Sequence, residues 1–204
     1  MHALIIDSSS RQNGSVSRQL TQQFRDQWQA HYPDATLTER DLIKTQVPHL
    51  SAETIEGFFA PTPSLQAKRA TVLSDQLIDE FMAADVICFG VPMYNFNVPS
   101  ALKAYIDQIV RVGRTFNKVA DGQLEGLCAG KRVLVCLSMG GMFADTEMDM
   151  VQPWFRALGS FLNLDAVEFV VVQGSSRGNF SRPQAVASAG TQIHHFLSAA
   201  EAVA

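Results

Sequence analysis

Four stretches of this chain are apolar almost without interruption: ALIID at 3–7, DVICFGV at 85–91, RVLVCLS at 132–138 and AVEFVVVQ at 166–173. A strand with one face in water alternates apolar and polar residues, so a run that does not alternate is buried on both faces. Helical periodicity fills the spaces between these runs. From Ser17 to Tyr32, Leu20, Phe24 and Trp28 recur every four residues. Further helices are expected over 64–83, with Leu73, Leu77, Ile78 and Phe81 inward, over 99–112, over 150–162, and from about 183. ATLTERDL, from Ala35, alternates and reads as a more exposed strand. Buried strands separated by helices mean a parallel sheet covered on both faces. Five strands fit a doubly wound α/β sandwich of three layers, with strand order 2-1-3-4-5. Two segments lack a clear pattern: IKTQVPHLSAETIEGFFAPTPS reads as a surface excursion with at most a short helix, and 113–130 as a Gly-bearing loop.

The 204 residues suit one domain spanning 1–204. A net charge of -4 gives no electrostatic case for nucleic acid, which calls for a basic stripe. Cys88, Cys128 and Cys136 have neither CxxC nor metal-type spacing, and no metal site is expected. MHALIIDSSSR has a short hydrophobic stretch and no basic leader, so no signal peptide is expected. No apolar run approaches the roughly 18 residues of a membrane helix. A cytoplasmic protein without membrane partners is the expectation.

In an open α/β sheet, ligands sit outside the carboxyl ends of the strands, near the topological switch point. The order 2-1-3-4-5 makes strands 1, 3 and 4 neighbours, and their following loops are SSSRQNGSVS, PMYNFNVP and SMGGMF. The first is rich in hydroxyls and feeds a helix N-terminus, an arrangement that favours an anion. Ser17 is the expected helix cap, and Ser9 and Ser15 the expected phosphate donors. The loop lacks GK[ST] and GxGxxG, which disfavours a Walker site and an NAD-type fold. A plain serine cap after a polar turn is the competing reading. The second loop holds no acid, base or nucleophile. That composition suits a cofactor such as a flavin, whose own ring carries hydride chemistry while the protein holds and orients it. N–H groups of Tyr94, Asn95 and Phe96 would face the ring's polar edge, with Met93 and the aromatics as packing surface. Pro99 would sit in the first turn of the next helix, where its missing donor is harmless. In the third loop, Gly140 and Gly141 allow close backbone approach.

These residues resemble a family. SxSRxLxxxFxxxW, PMYNFxxPxxLKxYxDxxxRxGxTF and the SxGG loop are similar to the motifs of bacterial FMN-dependent NADH-azoreductases, also described as NADH:quinone oxidoreductases. The resemblance runs from IIDSSSR through the terminal helix. It implies a flavodoxin-like homodimer with FMN sites at the subunit interface. There NADH or NADPH reduces the FMN, and a quinone or azo compound then takes the electrons in a ping-pong cycle. By motif position, Ser9, Ser15, Val16 and Ser17 would hold the FMN phosphate, and Met93, Tyr94, Asn95 and Phe96 would line the ring, with the Asn95 backbone near N5. Ser138, Met139, Gly140 and Gly141 would flank its pyrimidine side. Phe116 and Phe161 would lie over the exposed flavin face, the latter from the partner subunit, and Phe59 near the substrate. The chain departs from the pattern in three places. Met139 replaces an Arg common in the Gly-Gly loop, NKV follows TF where an aromatic is common, and Phe58-Phe59 stand where some relatives carry Arg. These departures leave substrate range and the NADH/NADPH choice open. The competing function is a flavodoxin-type electron carrier that docks protein partners. Such carriers are usually strongly acidic, which this chain is not.

Outside the loops, His194-His195 read as surface residues of the terminal helix. Lys103 and Asp107 read as a solvated i,i+4 pair, and Arg111 and Arg114 as loop supports.

Overall fold

The structure, a computed structural model, describes residues 1–119 and 122–200. Its five-stranded sheet consists of β1 (His2–Asp7), β2 (Thr36–Asp41), β3 (Val86–Pro92), β6 (Arg132–Ser138) and β7 (Ala166–Val172). All pairs are parallel, in the order β2-β1-β3-β6-β7. This is the expected order, with two short extra strands intervening in the chain. Period-two alternation within the buried strands divides the core. Leu4, Ile6, Ile87, Phe89, Val133, Val135 and Leu137 pack on one side against α4 (Val72–Ala83), α5 (Ser100–Ile109) and α6 (Val151–Leu162). Ala3, Ile5, Cys88, Leu134, Cys136 and Val170 face the other way, onto α1 (Val16–His31) and α7 (Arg182–Ala200). There Leu20, Phe24 and Trp28 of α1 meet Ile193, Phe196 and Leu197 of α7, as the four-residue spacing in α1 anticipates. β2 is partly exposed along its length, in keeping with its alternating sequence.

Several elements differ from expectation. The single helix over 64–83 is two, α3 (Leu65–Ala70) and α4, broken at Thr71, whose hydroxyl donates to the Lys68 carbonyl at 3.0 Å. The excursion holds an eight-residue helix, α2 (Ala52–Phe59), capped by Ser51. Residues 113–130 are not all loop. β4 (Phe116–Lys118) and β5 (Leu124–Gly126) form an antiparallel hairpin, and Cys128 N–H ties its far end to the Leu162 carbonyl at 3.0 Å. α5 ends at Ile109, short of the expected 112. Pro99 is the cap before α5 rather than a first-turn residue, with extended backbone (ψ 146°).

Arg111 and Arg114 do support the loop after α5. Both reach Asp75 on α4, at 2.8 and 2.6 Å, and Arg111 also stacks over Phe58. Lys103–Asp107 forms as an i,i+4 pair, and His194 and His195 are exposed. No helix among the described residues is long and apolar enough to cross a membrane, and no group of His, Cys, Asp and Glu among them could hold a metal ion.

Candidate cofactor site

At the carboxyl ends of β1, β3 and β6 lies a cavity of about 270 Å³. It is lined by Ser9, Ser15 and Val16 from the first loop, Met93 and Tyr94 from the second, and Ser138 and Gly140 from the third. Each of the three expected loops contributes.

The first loop is fastened before it reaches the cavity. Ser8 donates both its N–H and its hydroxyl to the Gly90 carbonyl, at 3.1 and 2.8 Å. Arg18 donates to the Ser9 carbonyl through Nε and Nη2, and to both Asp41 oxygens at 2.9 Å, with Asp7 at 3.5 Å. Gly90 permits this crowding, since a Cβ there would lie 2.6 Å from Asp7 Oδ1. Burial pushes the Asp7 carboxyl above its ordinary value, more than the Thr21 hydroxyl and Arg18 pull it down. Burial also opposes charge on Asp41, but the Arg18 hydrogen bond, then the Ile43 N–H, outweigh it and hold that carboxyl below its ordinary value.

Arg18→Met is therefore expected to destabilise the fold at neutral pH by about 2–3 kcal/mol, because two largely buried carboxylates lose their shared cation. The sign with pH follows from the two shifts. Asp41's lowered value gives stability that is full above 3.8 and lost as the pH falls through the folded value. Without Arg18 both carboxyls favour protonation, so acidification relieves the variant. Its melting-temperature deficit should be largest near neutrality and shrink below the ordinary carboxylate range; a deficit that stayed constant with pH would contradict the pairing.

Within the loop the serines form a chain. Ser15 donates its hydroxyl to Ser9 at 3.0 Å and lies 3.2 Å from Ser17. Ser15, not Ser17, caps α1. Its backbone is extended and its oxygen accepts from the Arg18 N–H, whereas Ser17 already lies inside the first turn and is fully buried behind Ser15. The N–H groups of Val16 and Ser17, in that first turn, have no intrahelical acceptor.

The second loop is a tight turn. Tyr94 and Asn97 exchange both backbone hydrogen bonds, at 2.9 and 3.1 Å, around Asn95 (φ 48°) and Phe96 (φ 67°). Two successive non-glycine residues in the left-handed region give the mirror-image type I turn, at a cost of roughly 1–2 kcal/mol each. Three N–H groups were expected to be available here, and Tyr94's is not, because it closes the turn. Those of Asn95 and Phe96, at its centre, take no part in closing it. Met93 N–H is also engaged, on the Ser138 carbonyl at 2.8 Å, which locks the second loop to the third. Phe96 packs edge-on to Phe143 at 5.5 Å, while its own ring stays half-exposed.

The third loop carries Gly140 into the cavity wall, where a Cβ would lie 2.9 Å from the Ser176 hydroxyl. Gly141 lies beneath Phe143, whose ring leaves no space for a side chain. Met139 is fully buried in the core, and only its backbone serves the loop: its N–H donates to Val172 and its carbonyl accepts from Ser175 N–H and Oγ.

Sequence reasoning missed part of the site. The loop after β7 adds Ser175 and Ser176, stitched to the third loop by the Ser176 N–H to Gly140 carbonyl bond at 3.1 Å. Arg11 and Arg182 also line the cavity, and Arg182 donates to the Gly14 carbonyl. Of the expected substrate residues, Phe116 and Phe161 meet each other, ring centroids 5.0 Å apart, and Phe59 stands exposed, edge-on to Phe58. None of the three lines the cavity. The lining contains no Asp, Glu or His. The arrangement can hold an anion at the hydroxyl end, and Asn95 and Phe96, at the centre of the turn, are not among the lining residues.

A family model described as flavodoxin-like fold matches residues 1–197. The FMN-dependent NADH:quinone oxidoreductase 2 of Pseudomonas fluorescens is 43% identical over 177 residues, covering 86% of this chain and 88% of that protein. The FMN-dependent NADH:quinone oxidoreductase 1 of Trichormus variabilis is 42% identical over 201 residues, 97% of this chain and 96% of the other. Among solved structures, the azoreductase from Bacillus anthracis str. Sterne superposes with a TM-score of 0.87 at 23% identity, covering 96% of this chain and 98% of its own. An FMN-dependent NADH-azoreductase from Bacillus anthracis str. Ames Ancestor, solved with FMN, gives a TM-score of 0.85 at 20% identity, covering 97% and 98%. At these identities the two structures speak for the fold.

Proposed function

The chain belongs to the flavodoxin-like fold family, and from that membership we propose that it is an FMN-dependent NAD(P)H oxidoreductase that reduces quinones and aromatic azo compounds. The observation that carries this reading is the meeting of the first, second and third loops at one cavity that lacks any acid or imidazole. The two curated relatives, both FMN-dependent by name, support it.

The residues fit FMN. The buried serine chain and the unsatisfied first-turn N–H groups of α1 form a phosphate cradle, and Ser9, Ser15, Val16 and Ser17 would hold that group. The turn would hold the ring, with Met93 and Tyr94 as its wall and the Asn95 and Phe96 N–H groups directed to its polar edge. Ser138, Gly140 and Gly141 would border the pyrimidine side, with Met139 acting only through its backbone. When bound, FMN supplies the hydride chemistry, accepting from the nicotinamide and delivering to the acceptor. The protein's share is orientation and electrostatics: fixed donors where negative charge grows, set on a turn already locked to β6.

A second copy of the chain would complete the site. Tyr94, Phe96, Met142, Met148 and Met150 are exposed apolar side chains in the second and third loops, and Phe59, Val119 and Leu124 are exposed as well. Partner coverage would place Phe116 and Phe161 beside the ring. The three cysteines are free and buried, which supports a reducing, cytoplasmic setting.

The test is direct reduction. Anaerobic NADH or NADPH should bleach the purified yellow protein without a helper, and a quinone should restore the colour, with the active species sedimenting as a dimer. An electron carrier would keep its colour until a separate reductase was added, and a colourless protein that takes up no FMN would end the proposal. The modest net charge and the oxidoreductase relatives both weigh against the carrier.

A further inference from the structure

Every charged side chain lining the cavity is positive. Arg182 is the first residue of α7, whose first turn holds no acid, so its cation sits at the end of the helix dipole that opposes it. No carboxylate among the described residues relieves this. Among the described residues, neither Arg182 nor Arg11 has a carboxylate within ion-pair distance. The Arg182 guanidinium instead donates to the Gly14 carbonyl, which Gly14 presents from a left-handed backbone (φ 69°). The N-terminus of α1 borders the same cavity through Ser15 and Val16. Two arginines without a carboxylate partner and the N-terminus of α1 border one lining that holds no carboxylate, an arrangement that favours an anion of high charge.

We infer that Arg182, with Arg11 assisting, makes the site select the phosphorylated flavin over the same ring without its phosphate. This rests on the function proposed above. The serine hydroxyls and the first-turn N–H groups of α1 favour an anion but carry no full positive charge, and a guanidinium beside them adds one. A phosphate monoester carries a charge of about -1.5 to -2 at neutral pH. A guanidinium offers five N–H donors in a planar fork, and the Gly14 carbonyl occupies Nη1 alone. The rest of the fork remains for phosphate oxygens. Charge-assisted bonds of this kind are roughly twice as strong as neutral ones. Arg182 reaches the loop from 168 residues away in the chain, so it also pins the start of α7 to the cradle.

The experiment is a titration of the full chain, freed of flavin, with FMN and separately with riboflavin, at low and high KCl. Arg182→Gln should weaken FMN roughly tenfold or more and leave riboflavin within about twofold. It should also flatten the salt dependence of FMN binding, because exposed charge is screened as ionic strength rises. Arg182→Lys should keep part of the preference, having the charge without the fork. Unchanged riboflavin affinity doubles as the check that the variant is folded. Equal weakening of both flavins, or no change in either, would overturn the inference. A wild-type protein that bound neither flavin would overturn the functional reading itself, and this inference with it.

Discussion

Asn95→Pro is expected to strip FMN from the protein, raising its dissociation constant up to roughly a hundredfold while the sheet stays folded. The reason is geometric. The left-handed backbone at Asn95 and Phe96 forms the turn across which Tyr94 and Asn97 exchange both of their hydrogen bonds. Proline is locked near a φ of about -65° and has no N–H, so it inverts the turn and deletes one of the two donors proposed to meet the ring. The inverted turn misdirects the other. Two hydrogen bonds, at about 0.5–1.5 kcal/mol each, account for the size of the effect. Asn95→Gly is the matched control. Glycine keeps the positive φ without steric cost and retains the N–H, so FMN affinity should stay within about threefold. Equilibrium dialysis of both variants, with circular dichroism to confirm folding, separates the cases. Losses of equal size, or none in either, would remove the turn from the site.

Gly126→Ala should lower the melting temperature by about 4–10 °C, the equivalent of about 2–3 kcal/mol in a chain of this size. Gly126 lies in β5, opposite Phe116, and its backbone rests on the last turn of α6. A Cβ there would lie 2.5 Å from the Phe161 carbonyl oxygen and closer still to the Leu162 carbonyl. These are backbone atoms of a helix end and cannot rotate away. The hairpin must lift, and in lifting it separates Phe116 from Phe161. FMN binding, seated on the other loops, should persist while KM for the quinone rises. Gly178→Ala, where a Cβ meets open space, should leave both unchanged. Differential scanning calorimetry and steady-state kinetics on the pair test this, and a Gly126→Ala protein as stable as wild type would show that the hairpin is not clamped to α6.

What was legible in the sequence follows from how far each determinant acts along the chain. β1, β3 and β6 announce themselves because burial on both faces erases their alternation, and the order of the sheet follows from the helices between them. The three loops could be named because each directly follows such a strand. The β4–β5 hairpin could not, since FNK and LEG are three-residue strands held by contact with α6 rather than by their own pattern. The break between α3 and α4 falls at a threonine, with no glycine or proline to mark it. Ser15 and Ser17 offer the same capping chemistry two residues apart, and only the extended backbone at Ser15 decides between them. The left-handed pair was hidden for a related reason: asparagine tolerates that region, but nothing about a phenylalanine suggests it. Arg11 stands in the first loop itself, but its meeting with Arg182, from the start of α7, depends on the whole fold, so no local signal could have joined them.

The central claim is that the ends of β1, β3 and β6 seat a single FMN. A crystal structure of the protein grown with FMN tests it most directly. The phosphate should lie within hydrogen-bonding distance of the Ser9 and Ser15 hydroxyls, with the ring running along residues 93–96 and the Asn95 N–H at its edge. FMN bound elsewhere on the molecule, or a cavity closed over by its own side chains in the presence of excess FMN, would contradict it.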